Sequence, residues 1–78
     1  MRVLSWNVNS VRLRLEAVAR LTEEAAPDVL CLQEIKVRDE LFPHADLAAL
    51  GYEHQAVYGQ KGYRGVAILS RLPFDRPT

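Results

Sequence analysis

The sequence predicts an α/β fold that opens on a parallel strand, helix, strand unit, and three observations predict it. Residues 3–9 alternate apolar and polar side chains with period two, residues 11–26 carry an apolar stripe at spacings of three and four, and residues 28–33 form a short, nearly continuous apolar run. Elements in that order imply a right-handed crossover and a parallel pair of strands. The chain has 78 residues, 49% apolar and 26% charged, a globular composition that excludes the disordered and collagen-like classes.

In the first strand, Leu4, Trp6 and Val8 share one face and Val3, Ser5, Asn7 and Asn9 the other, so the second face turns polar towards the carboxyl end. Ser10 is placed to cap the helix, whose stripe is Val11, Leu15, Val18, Thr22 and Ala25, and Pro27 stops it. The run from Asp28 to Gln33 reads as a strand buried on both faces. A second short helix is expected over 44–50, ended by Gly51, followed by strands over 52–58 and 65–71. The connection Gly59-Gln-Lys-Gly-Tyr-Arg64 is long and polar for a hairpin turn. No repeat, low-complexity tract or Ser/Gly linker divides the chain, which reads as one structural unit.

Ten basic and ten acidic residues cancel, yet their distribution is uneven. Residues 1–20 carry four arginines against Glu16, a local charge of +3, while residues 21–56 carry two bases against eight acids, a charge of −6. Residues 57–78 return to +3 with Lys61, Arg64, Arg71 and Arg76 against Asp75, so the two ends could form one basic surface or simply a solvated one. The single cysteine, Cys31, excludes an internal disulfide and a Cys-based zinc site, which leaves oxygen ligands for any metal. No apolar stretch approaches the roughly 20 residues of a membrane span, and MRVLSWNVNS lacks the layout of a signal peptide, so a cytoplasmic location is expected. A chain this short buries only about 60% of its unfolded surface, which makes it marginal as an isolated α/β domain.

Open α/β sheets bind ligands beyond the carboxyl ends of their strands. Asn7 near the end of the first strand and Glu34 directly after the second are placed there, and the crossover should bring amide and carboxylate together. A carboxylate leaving an apolar strand needs a counter-charge, which Mg²⁺ can supply while sharing its remaining sites between water and phosphate oxygens. The uncharged amide can position a phosphate oxygen without repelling it. Each residue also has a plain structural alternative: an Asn at a strand end caps turns, and Glu34 beside Lys36 makes a surface ion pair.

Four segments carry a resemblance. Ser5-Trp-Asn-Val-Asn-Ser-Val-Arg12, Pro27-Asp-Val-Leu-Cys-Leu-Gln-Glu-Ile-Lys-Val37, Leu41-Phe-Pro43 and Gly59-Gln-Lys-Gly-Tyr-Arg-Gly-Val-Ala-Ile-Leu-Ser-Arg71 resemble, in order, the opening segments of the exonuclease III family of abasic-site endonucleases. The Leu-Gln-Glu element is shared with the wider endonuclease/exonuclease/phosphatase superfamily; the third and fourth segments point to its DNA-repair branch. The resemblance implies a four-layer α/β sandwich like that of deoxyribonuclease I, an Mg²⁺ or Mn²⁺ cofactor, and hydrolysis of DNA phosphodiesters at abasic sites with 3′→5′ exonuclease action. The implied partner is duplex DNA with abasic sites or 3′ ends, and the implied full-length protein is a monomer.

Carried over residue by residue, Glu34 matches the family's metal-binding glutamate and Asn7 its active-site asparagine, which implies that both are catalytic and both hold the metal. Asn9 stands where some relatives have Asp, which implies a supporting position behind the metal, and Lys36 matches a lysine near the metal in some relatives. Tyr63 and Arg64 fall in a loop resembling the family's DNA-contacting loop, where Gly62 and Gly65 would allow close backbone approach to a phosphate. Arg12 is a further candidate phosphate contact. His44 and His54 fall in no matching motif and read as structural or solvent-facing. The family's catalytic tyrosine, its water-orienting Asp-x-Asn pair and its C-terminal Asp and His have no counterpart up to Thr78. The 78 residues are therefore expected to be the N-terminal part of a longer enzyme, inactive alone. Two other readings compete: a superfamily phosphatase or phosphodiesterase for a non-DNA phosphoester, and a non-catalytic interaction module.

Overall fold

The alternating segment at the amino end forms strand β1 over Val3–Asn7, with Leu4 and Trp6 half-buried and Val3, Ser5 and Asn7 exposed. This computed structural model describes residues 1–59 and 65–74. The strand stops short of the 3–9 expected from alternation because Asn9 and Ser10 turn to positive φ, 47° and 87°, outside the extended region a ladder requires. Ser10 is not the helix cap that its position suggested. Its N–H goes instead to the Glu34 carbonyl at 2.9 Å. The expected helix over 11–26 splits into a 3₁₀ turn over Arg12–Arg14 and helix α1 over Leu15–Ala25, neither with a side-chain cap. Ala26 ends α1 in the left-handed conformation with φ 44°, its N–H bonded to the Thr22 carbonyl, and buried Pro27 prevents continuation.

Strand β2 over Val29–Gln33 pairs parallel with β1, from Val3 opposite Val29 to Asn7 opposite Gln33. Leu30 and Leu32 are fully buried, whereas Val29, Cys31 and Gln33 on the other face are only half-buried, so the expected burial on both faces holds on one. Both helices pack on that one face. Helix α2 spans His44–Ala49 and stops at Gly51, whose φ of 108° suits a residue without Cβ. Strand β3 spans His54–Gly59 and starts later than the expected 52, because Tyr52 is fully buried and its N–H returns to the Leu47 carbonyl at 3.2 Å.

Strand β4 over Gly65–Ser70 lies antiparallel to both β2 and β3, which gives a mixed sheet in the order β1-β2-β4-β3. Its covered face joins Leu30, Leu32, Ala67 and Leu69 to Val18 of α1 and Leu47 of α2, with Leu4, Trp6 and Leu15 packed around them. The opposite face carries Val3, Tyr58, Val66 and Ile68, which are 56%, 72%, 45% and 41% exposed. A row of apolar side chains on one sheet face is the surface a second layer covers in α/β and sandwich architectures. Among the described residues no helix is long and apolar enough to cross a membrane.

Candidate functional site

Because β1 and β2 run parallel, their carboxyl ends at Asn7 and Gln33 lie side by side. Pairing continues past the strands. Val8 N–H bonds the Gln33 carbonyl at 3.1 Å, Ser10 N–H that of Glu34 at 2.9 Å, and Val11 N–H that of Ile35 at 3.0 Å. The two turns are thereby joined backbone to backbone. Within them Asn9, Ser10, Glu34 and Lys36 all hold positive φ, the last two at 53° and 54°. Left-handed non-glycine residues cost energy and persist where surrounding bonds over-determine them, a pattern that concentrates at functional sites.

Side-chain and backbone groups of four residues join in one network. Asn7 Nδ2 donates to Glu34 Oε2, Asn9 N–H donates to Asn7 Oδ1 at 3.1 Å, and Lys36 Nζ donates to Asn9 Oδ1. A carboxylate and an ammonium are therefore linked through two neutral asparagines. The structure brings four of the seven candidate residues, Asn7, Asn9, Glu34 and Lys36, into one cluster. Gln33, on the exposed sheet face, donates from Nε2 to Ser5 Oγ at 2.7 Å and ties the strand ends together next to it.

A divalent cation at this end of the sheet needs oxygen donors. A carboxylate offers about four acceptor sites; Asn7 takes one, which leaves oxygen on the half-buried Glu34. Among the described residues no group of three or more His, Cys, Asp or Glu converges. One available carboxylate fits Mg²⁺ or Mn²⁺, which accept one or two carboxylates and complete their shells with water and phosphate oxygens.

Arg12 is exposed one residue after Val11, whose N–H is bonded to Ile35, so it stands at the same end of the sheet as Glu34. Tyr63 and Arg64, with Gly62, lie outside the described residues. His44 is exposed, stacked edge-on to Phe42 and bonded through Nδ1 to Gln55 Oε1 at 2.6 Å, and His54, the first residue of β3, packs its ring edge-on to Phe74; neither joins the network. An open groove of about 440 Å³ between β1 and α1, lined by Leu4, Trp6, Leu21 and Arg20 among others, is also separate from it. Sequence reasoning passed over Ile35 and read Gly65 only as a glycine allowing close approach to a phosphate, whereas the Ile35 N–H donates to the Gly65 carbonyl at 3.2 Å. An apolar residue between Glu34 and Lys36, and a glycine closing a polar connection, were the available signals.

The sequence profile described as the Endonuclease/Exonuclease/phosphatase family matches residues 4–78. The chain is 45% identical over 71 residues to exodeoxyribonuclease III of Haemophilus influenzae, a match covering 91% of this chain and 26% of that protein. Its fold is similar to that of an AP endonuclease from Archaeoglobus fulgidus, with TM-score 0.84 and 45% identity over 91% of this chain and 27% of the other. A 3′ phosphatase from Neisseria bound to a product DNA hairpin is similar to the same degree, with TM-score 0.84, 46% identity, and the same 91% and 27% coverage. The chain thus spans about a quarter of the length of these relatives.

Proposed function

Since the chain belongs to the Endonuclease/Exonuclease/phosphatase family, we propose that residues 1–78 are the N-terminal part of a DNA-repair nuclease resembling exodeoxyribonuclease III. The intact protein hydrolyses DNA phosphodiesters at abasic sites and removes nucleotides from 3′ ends, as a metal-dependent monomer in the cytoplasm. The observation that carries this reading is the hydrogen bond from Asn7 to Glu34 at the joined ends of two parallel strands. The nuclease names of its relatives direct it towards DNA.

Glu34 is the carboxylate that holds Mg²⁺ or Mn²⁺, with Asn7 beside it. A cation held there would supply Lewis-acid polarisation of the scissile phosphate and stabilisation of charge on the leaving 3′ oxygen. Asn7 restrains the Glu34 carboxylate by hydrogen bonding to Oε2 and, being neutral, presents no repulsion to an anionic backbone. Asn9 fixes the Asn7 amide, and Lys36 on Asn9 keeps a positive charge at the edge of the site. Arg12, Tyr63 and Arg64 hold the DNA backbone, a task that positions the duplex without reading its sequence. The groups that orient the attacking water are supplied by polypeptide beyond Thr78.

Glu34→Gln in the intact protein tests the proposal, since it keeps the shape and removes the anionic ligand. Incision of a duplex with a single abasic site should fall by orders of magnitude and demand more Mg²⁺. An unchanged Mg²⁺ dependence removes Glu34 from the site. Abasic duplex DNA should inhibit turnover competitively where inositol phosphates do not, and the reverse result favours the non-DNA phosphoesterase.

A further inference from the structure

Glu34 and Lys36 flank Ile35, and both stand in the left-handed region at φ 53° and 54°. The backbone of Ile35 is held from two sides: its N–H donates to the Gly65 carbonyl at 3.2 Å, and its carbonyl accepts the Val11 N–H at 3.0 Å. Its side chain is fully buried. Ile35 is therefore the fixed point about which the two polar side chains are splayed to the surface.

What lets Ile35 sit there is the residue opposite. Gly65 is the first residue of β4, buried, with φ 127°, a conformation that L side chains rarely adopt. A Cβ at this position would stand 2.9 Å from Ile35 Cγ1, 3.1 Å from the Tyr58 carbonyl oxygen and 3.3 Å from Gly59 Cα. The last two are backbone atoms of the paired strand β3 and cannot withdraw without opening the ladder. Any added atom is thus relieved by moving Ile35 or the start of β4, and either movement disturbs the bond that holds the turn carrying Glu34.

We infer that Gly65 is a positioning residue for Glu34, acting through its close contact and backbone hydrogen bond with Ile35. The inference rests on Glu34 being the cation-binding carboxylate. Gly65 is buried and sets the place of the carboxylate through one intervening residue. A site of few ligands has little redundancy, and displacement of a supporting group weakens metal binding even when all the ligands remain.

The test is Mn²⁺ affinity of the intact protein, measured by electron paramagnetic resonance of free Mn²⁺, for the native form and for Glu34→Gln, Gly65→Ala, Ile35→Val and Val18→Ala. Gly65→Ala should bind Mn²⁺ about tenfold more weakly, and its incision activity should recover at saturating Mn²⁺. Val18→Ala, which empties part of the core beneath α1, should bind as the native protein does, separating positioning from a general loss of stability. Should Gly65→Ala fail to fold, Ile35→Val decides, since it strips the Cδ1 methyl from Cγ1, the atom that faces Gly65, and loosens the packing that fixes Ile35; it should also bind more weakly than the native protein. Native affinity in a folded Gly65→Ala, or in Ile35→Val where the glycine variant does not fold, overturns the inference while Glu34→Gln still binds poorly. If Glu34→Gln itself binds as the native protein does, the carboxylate assignment fails and the positioning role with it.

Discussion

The backbone N–H of Asn9 donates to Oδ1 of Asn7 at 3.1 Å, and this bond turns the Asn7 amide so that its Nδ2 faces Glu34. The two ends of an amide are nearly alike in shape, so its direction is set by its partners. Here the partner is the main chain two residues on, a local contact that Asn and Asp favour in turns. The left-handed turn at Asn9 thus orients the donor that restrains Glu34.

Asn7→Ala removes that donor from an exposed position, so stability should change by no more than about 0.5 kcal/mol while metal affinity falls about 10- to 100-fold. Urea denaturation and a Mn²⁺ titration of the intact protein separate the two effects. A loss of stability without a change in affinity would make Asn7 a turn residue only.

The Thr22 and Tyr52 hydroxyls lie 2.7 Å apart, and Thr22 Oγ1 is also 2.9 Å from the Val18 carbonyl, which can only accept. Thr22 must donate to Val18, so Tyr52 donates to Thr22. Tyr52→Phe removes one ordinary bond and should cost about 1 kcal/mol. Thr22→Val leaves the hydroxyl of a fully buried tyrosine without its acceptor and should cost more, about 1–3 kcal/mol. Urea midpoints in the reverse order would mean that the phenol finds another partner.

Arg12→Ala and Arg64→Ala should each weaken binding to all duplex sequences alike and reduce the slope of log K against log salt by about one unit. Filter or fluorescence binding across a salt series measures both. A sequence-selective loss with an unchanged slope would show contacts to bases rather than to phosphates.

Residues 1–78 purified alone should not incise abasic DNA with any divalent metal, since groups that act as a unit lose most of their rate when part is missing. The exposed row formed by Val3, Tyr58, Val66 and Ile68 should also make this segment self-associate. Ile68→Lys should then shift sedimentation of the isolated segment towards monomer and yet destabilise the intact protein, where the proposed second layer covers the same face. Incision by a well-behaved 78-residue monomer would defeat the mechanism proposed above.

The kind and order of the elements were legible in the sequence because each rests on local chemistry. Alternation through Leu4 and Trp6, the stripe through Leu15 and Val18, the break at Pro27 and the stop at Gly51 depend on neighbours a few residues away. The meeting of Asn7 with Glu34 was legible too, since a parallel crossover aligns the ends of its strands. Only the tertiary structure decided that Ser10 gives its N–H to the Glu34 carbonyl instead of capping a helix, that β4 lies between β2 and β3, and that Glu34 and Lys36 turn left-handed around Ile35. Neither Glu nor Lys carries a propensity for that conformation. It is imposed by hydrogen bonds from the Ser10 and Val11 N–H groups and to the Gly65 carbonyl, residues distant in sequence that strand pairing alone brings to this point, and no periodicity within one segment encodes them.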